Sequence, residues 1–137
     1  MSLRAAGALL VLAHGAIGEW HLIVAAKAAP TAGPASLALP LTIIGIVHVI
    51  FAIVAWMAAP RASGWVLTVF FAAVLVFELY EHFLGAVPTN IFHLAPGAWA
   101  AQFRVSVYLL LASEMLGLWT GTRLLAGSSR NVAIRAR

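Results

Sequence analysis

Glu78, Glu81 and His82 fall at positions i, i+3 and i+4, a spacing that sets two carboxylates and an imidazole on one face of a helix. His14 and His21 are seven residues apart and share a face in the same way. Such groups bind metal ions, exchange protons or hydrogen-bond polar ligands. Their distribution is more telling than their type. The 137-residue chain has no Asp, and its four Glu residues, Glu19, Glu78, Glu81 and Glu114, all stand in strongly apolar stretches. So do four of its five His residues, His14, His21, His48 and His82, while His93 lies in a connecting segment.

Three kinds of chemistry fit this set. The first is a metal or haem site. Di-iron bundles draw carboxylates and Glu-x-x-His pairs from facing helices. The segment Glu78 to His82 departs from that pattern, because His82 follows Glu78 by four residues and Glu81 by one. His14, His21 and His82 are the metal-ligand candidates, and a haem held between His14 and His48 or His82 is a variant of the same idea. The second is a proton- or quinone-handling pocket, with Glu19, His48, Glu78, Glu81 and Glu114 as ligand- or proton-binding candidates. There Glu78 or Glu81 with His82 would be the acid/base pair, and Tyr80 or Tyr108 a hydrogen-bond donor. The third is structural: Glu–His pairs between helices hold their register, each worth about 1 kcal/mol. Register alone does not require every acidic residue of the protein.

The elements that must position these groups are membrane spans. The chain is 64% hydrophobic and 9% charged, against roughly a quarter charged in ordinary soluble domains. A soluble chain of this length could not bury so much apolar surface in one core. A spanning helix needs about 20 mostly apolar residues. Such runs occur at 3–26, 37–58, 64–83 and 105–125. The expected fold is all-α: an integral membrane four-helix bundle, up-down-up-down, forming one domain over 1–126, with a basic cytoplasmic tail at 127–137. Pro30, Gly33 and Pro34 break the chain between the first two spans, and Pro60 with Gly64 breaks it between the next two. Pro88-Thr89-Asn90 reads as a turn in the longer segment 84–104. That segment is apolar enough, with Ile91, Phe92, Leu94, Trp99 and Phe103, to lie on the membrane or fold over the bundle mouth.

Absence of cysteine excludes disulfides and thiolate metal sites. The net charge of +4 does not mark a nucleic-acid binder, because the basic residues are scattered at span ends. Four spans put both termini on one side, with Arg4, Arg61, Arg123, Arg130, Arg135 and Arg137 there and Lys27 and Arg104 opposite. The positive-inside rule then places the termini in the cytoplasm of a plasma-membrane protein. Trp20, Trp56, Trp65 and Trp99 form a rough interfacial belt. A cleaved signal peptide at residues 1 to 28 is the competing reading, since Ala26-Lys27-Ala28 imitates a cleavage site. Its apolar region would be too long, and it carries His14, Glu19 and His21. From the ~1.5 Å rise per residue, His14, His48 and Glu114 come out near the midplane, and the other groups about 5 to 12 Å toward the outer side. Glu19 falls off the line of His14 and His21, toward the second or fourth span or a neighbouring subunit.

Gly117 and Gly121 form a small-xxx-small pair, which serves either packing within the bundle or contact with a second copy. Leu3-Arg4, Gly7, Leu10, Leu12 and His14-Gly15 together resemble the opening helix of the DoxX-like small membrane proteins, as do the length, the four spans and a last helix ending at Gly127-Ser128-Ser129. The Lys that commonly follows His-Gly there is absent, position 18 being Gly. The resemblance implies a small inner-membrane protein associated with quinone-linked or oxidative-stress redox systems, and only His14 and Gly15 carry over. The expected function is a redox- or quinone-linked membrane subunit, or a small-ligand- or metal-binding protein, with an outward-facing Glu/His pocket. Its expected partners are the bilayer and other membrane subunits or further copies of itself. A structural accessory subunit of a larger complex is the alternative. A proton-coupled transporter using Glu78, Glu114 and His48 would need a polar path inward, where the first and third spans offer only Thr68.

Overall fold

The computed structural model describes residues 1–29 and 37–135, with side chains through Ser128. The breaks expected at Pro30, Gly33 and Pro34, and the tail's Arg137, lie outside the described residues. Four helices carry the chain: α1 (Leu3–Ala28), α2 (Ala38–Met57), α3 (Pro60–Leu79) and α4 (Ala98–Arg135). A π-helical turn, Tyr80–Leu84, continues α3. All four are long and apolar enough to cross a membrane. The fold is all-α as expected.

Local chemistry sets the helix boundaries. The Ser2 hydroxyl accepts from the Ala5 N–H at 3.2 Å and caps α1. Pro60 opens α3, where its missing N–H costs nothing. The Arg4 guanidinium donates to the Ala58 carbonyl at 2.9 Å, and Ser63 Oγ donates to Ala55 O at 2.6 Å, so the α2–α3 corner is tied down from both sides.

Helix contacts follow small residues, as expected where lipid and side chains are equally apolar and close packing decides association. Along α1 and α2, Gly15 abuts His48 and Gly18 abuts Ile44. Gly64 of α3 meets Gly121 and Leu125 of α4, and Gly117 of α4 lies beneath the Phe71 ring. In both pairs the residue numbers run in opposite senses. α2 buries only Ala52 and Ala55 and turns Ile43, Ile46, Val49, Ile50 and Ile53 outward, the reverse of a soluble amphipathic helix.

Two expectations need correction. The fourth helix begins at Ala98, not near residue 105, because Ala98 to Arg104 continue it without a break. It also runs past Gly127-Ser128-Ser129 to Arg135, so no turn separates a tail there. At about 1.5 Å per residue, α4 is far longer than the ~30 Å hydrocarbon core requires. The Gly117/Gly121 pair packs within the chain, beneath Phe71 and against Thr68 and the Gly64 backbone, as in the first of its two expected uses.

The segment between the π-turn and α4 folds back over the helix ends. Pro88 and Thr89 form the expected turn. Ile91 and Leu94 enter a core with Val24, Ala25, Ala29, Phe103 and Val107. Arg104 holds the segment through its Nε and Nη2 groups, which donate to Ile91 O at 3.2 Å and Leu94 O at 3.3 Å. Asn90, almost wholly buried, donates to Gly85 O at 2.9 Å and accepts from the Phe92 N–H at 3.0 Å.

Candidate functional site

Four imidazoles within the spans share one feature: each has Nδ1 hydrogen-bonded to a protein oxygen. His21 Nδ1 is 2.9 Å from Ser106 Oγ, whose hydroxyl hydrogen is spent on Phe103 O at 2.7 Å. A hydroxyl that donates to a carbonyl can only accept from the ring, so His21 carries its hydrogen on Nδ1. The same logic holds one heptad away, where His14 Nδ1 is 3.0 Å from Ser113 Oγ and Ser113 donates to Leu110 O at 2.8 Å. His48 Nδ1 donates to Ile44 O at 2.7 Å and His82 Nδ1 to Thr89 O at 3.0 Å. A backbone carbonyl admits no other polarity. In each neutral ring Nε2 is therefore a bare lone pair.

The π-turn places the fourth of these rings. It widens the helix at Tyr80–Leu84 and ends with the Gly85 N–H donating to Tyr80 O at 2.6 Å. His82 is thereby turned inward, 2% exposed, where Thr89 O and the Ile91 N–H engage its ring and its backbone carbonyl. Its Nε2 stands 2.9 Å from Glu78 Oε2. The approach is close but poorly aligned, so this oxygen forms no proper hydrogen bond. A lone pair and a carboxylate oxygen come this near only with a proton or another cation between them.

His21, Glu78 and His82 are all buried, and each offers one ligand atom within 4.8 Å of the others. The His21 and His82 ring centroids are 4.8 Å apart. Two imidazoles on one tetrahedral ion, with metal–nitrogen bonds of ~2.0–2.1 Å, would have centroids about 5 Å apart. Phe103 walls both rings, at 4.8 Å from His21 and 5.3 Å from His82. Two His and one carboxylate with open positions is the donor set of non-haem iron oxygenases and of several catalytic zinc sites. Rings whose second nitrogen is fixed by hydrogen bonding to protein oxygens are the usual state of metal-ligating histidines.

These groups line a cavity of about 350 Å³ between α1, α2 and α3, together with His14, His48 and Glu81. Leu22, Ala25, Ala26, Val74 and Phe77 form its apolar part. At its other end His14 and His48 lie with ring centroids 5.3 Å apart, and Phe70 meets both edge-on. Contact this close, sealed by a third ring, leaves no slot for a haem between His14 and His48. Glu114 lies behind His14, fully buried, with Oε1 4.0 Å from His14 Nδ1. Among the described residues, the buried side-chain atoms without a hydrogen-bond partner are His48 Nε2, Thr68 Oγ1, Glu78 Oε2 and both oxygens of Glu114. Each such atom costs about 1–3 kcal/mol; His48 and Glu78 border the cavity, while Glu114 and Thr68 lie off it.

The sequence candidates thus divide. His14, His21, His48, Glu78, Glu81 and His82 meet at one cavity. Glu78 rather than Glu81 pairs with His82, because Glu81 Oε1 accepts from Thr89 Oγ1 at 2.6 Å. Glu19 stands apart: its carboxylate packs over Gly45 of α2. Tyr80 and Tyr108 face outward and do not reach the cavity. Sequence reading missed Ser106 and Ser113, which fix the α1 histidines. The signal was available, since the two serines repeat on α4 at the same seven-residue interval as His14 and His21 on α1.

Comparison with protein-family models, with curated proteins and with solved structures finds no match to this chain. What defines it is its own fold and site: an all-α chain with four helices fit to span a membrane and a buried cluster of histidines and carboxylates between them.

Proposed function

We propose that this chain is a multi-pass plasma-membrane protein that binds a transition-metal ion through His21, Glu78 and His82, at the outer end of an up-down-up-down bundle. The carrying observation is the convergence of the three ligand atoms within 4.8 Å, with both imidazoles held in the tautomer that presents Nε2. Imidazole and carboxylate together suit zinc, iron, copper or nickel. A centre with open positions beside a cavity would serve a redox-linked partner or bind a small ligand, in keeping with the DoxX-like resemblance of the first helix.

Charge supports the orientation. Arg4, Arg61 and Arg123 lie at the end that holds the N-terminus, against Lys27 and Arg104 at the other. The positive-inside rule therefore favours cytoplasmic termini and an outward-facing site. Ionisable groups within spans are costly and by default functional.

The test is metal analysis of the protein purified in mild detergent and loaded with Co²⁺ or Zn²⁺. Tight binding that is lost in Glu78→Gln and His82→Ala, with helical content and elution unchanged, is the expected result. A folded wild-type protein that takes up no metal would overturn the proposal. A second reading, a quinone headgroup or similar amphipathic ligand, is favoured by the apolar portion of the cavity beside its polar wall. Quinone retained through purification, independent of metal, would support it.

A further inference from the structure

The polar wall of the cavity offers lone pairs and no spare hydrogens. His14, His21 and His48 each give their ring hydrogen away at Nδ1, to Ser113 Oγ, Ser106 Oγ and Ile44 O, so the nitrogen left to each neutral ring is an acceptor. His82 gives its own to Thr89 O. The Thr89 hydroxyl, also in the lining, donates to Glu81 Oε1 at 2.6 Å. Ionised Glu78 and Glu81 add acceptors only. A ligand whose polar group can only accept, such as a ketone or an ether, finds no partner in this wall.

The two ends of the cavity differ in charge. Glu78 and Glu81 belong to the end with His21 and His82, whereas the deeper end has His14 and His48 without a carboxylate, because Glu114 turns toward His14 Nδ1 and stays out of the lining. His14 is 5% exposed, and His48 Nε2 is buried with no hydrogen-bond partner. Two neutral acceptors with no carboxylate beside them suit an O–H donor better than an ammonium group. The rest of the wall is apolar and includes Leu22, Ile44, Val74 and Phe77. Phe77 borders the cavity and is also 60% exposed, on a helix long and apolar enough to span a membrane, so the side beside it opens where lipid would lie.

We infer that the cavity admits a lipid-soluble alcohol or phenol from the bilayer, whose hydroxyl donates to Nε2 of His48 or His14 while its apolar body lies against Leu22, Ile44, Val74 and Phe77. A volume of about 350 Å³ sets the size. It stands near the lower end of ligand pockets, about 300–1,000 Å³, and holds one ring with a short chain. The inference deepens the reading of the cavity as a site for an amphipathic small molecule, giving that molecule a donating group in place of an accepting one. It requires no metal at the other end.

The probes are para-butylphenol and its methyl ether, para-butylanisole, which share an apolar body but differ in having a hydrogen to donate. Each is titrated into the full chain in mild detergent, metal-free and Zn²⁺-loaded, with the imidazole nitrogens isotopically labelled for NMR and with empty micelles as the partition control. The phenol should bind about tenfold more tightly than the ether. It alone should move the Nε2 resonance of His48 or His14, in both samples. His48→Leu combined with His14→Leu should abolish the preference while the ether still binds. If that pair fails to fold, the nitrogen shifts of the wild type and the single variant His48→Leu, at a half-buried position on α2, carry the test. Equal affinities, a tighter ether, or no saturable binding of either probe by folded protein would overturn the inference. Shifts confined to His21 and His82, or a preference seen only with Zn²⁺, would move the hydroxyl to the metal end and overturn its assignment. Zn²⁺ uptake by the same samples judges the metal site separately: a phenol preference without uptake sinks the metal reading alone, and uptake without the preference sinks this inference alone.

Discussion

His21 Nδ1 and Ser106 Oγ lie 2.9 Å apart, with the serine hydrogen committed to the Phe103 carbonyl. That relay decides which nitrogen of His21 faces the cavity, and it comes from a residue with no charge and no obvious chemistry. Ser106 is fully buried, so its effect is on the ring and not on solvent.

Ser106→Ala should leave the bundle folded and weaken metal binding about 10- to 100-fold, the usual effect of losing a partner that orients a ligating histidine. Stability should fall by about 1 kcal/mol for the lost hydrogen bonds. Co²⁺ titration alongside thermal unfolding separates the two effects. An unchanged affinity would mean that His21 is not a ligand.

Gly15→Ala tests the contact between α1 and α2. A Cβ there would stand 2.7 Å from His48 Cγ and 2.8 Å from its Cβ. The ring must move, at a cost of about 1–3 kcal/mol for overpacking. The unfolding temperature in detergent should fall while metal binding through His21, Glu78 and His82 persists.

Gly121→Ala should destabilise the monomer itself. A methyl group at this position would meet the Thr68 backbone nitrogen at 2.8 Å and the Gly64 carbonyl at 3.0 Å, and backbone cannot move aside as a side-chain tip can. The expected loss is about 1–3 kcal/mol or more, read as a lower unfolding temperature in detergent. The oligomeric state by light scattering should not change. A shift from dimer to monomer at constant unfolding temperature would show that the glycine pair is an intersubunit contact after all.

Asn90→Ala removes two hydrogen bonds that shape the segment over the helix ends, to Gly85 O and from the Phe92 N–H. Each is worth about 0.5–1.5 kcal/mol. The segment should exchange amide hydrogens faster from Gly85 to Leu94. Metal affinity should fall with it, since Thr89 O, the partner of His82 Nδ1, belongs to the same turn.

Glu19→Gln should change little at the metal site, because this carboxylate packs over Gly45 of α2 and does not line the cavity. A large loss of metal binding in this variant would place Glu19 among the ligands.

Composition and spacing by themselves determined that the chain is all-α with four apolar spans, because a run of about 20 apolar residues has no other stable use at this chain length. They also singled out the ionisable residues, since a charged type inside an apolar run is conspicuous whatever surrounds it. Helix ends were less legible: Ala98 to Arg104 and Gly127 to Arg135 read as loop and tail because their polarity is mixed, yet backbone hydrogen bonding carries the helix through them. Partner choice was not legible at all. Whether Glu78 or Glu81 takes His82 depends on a π-turn that no residue pattern announces and on Thr89 claiming Glu81. Which nitrogen each histidine offers depends on serines and carbonyls distant in the chain. Periodicity fixes the face a residue occupies on its own helix, and only the packing of four helices decides which faces meet.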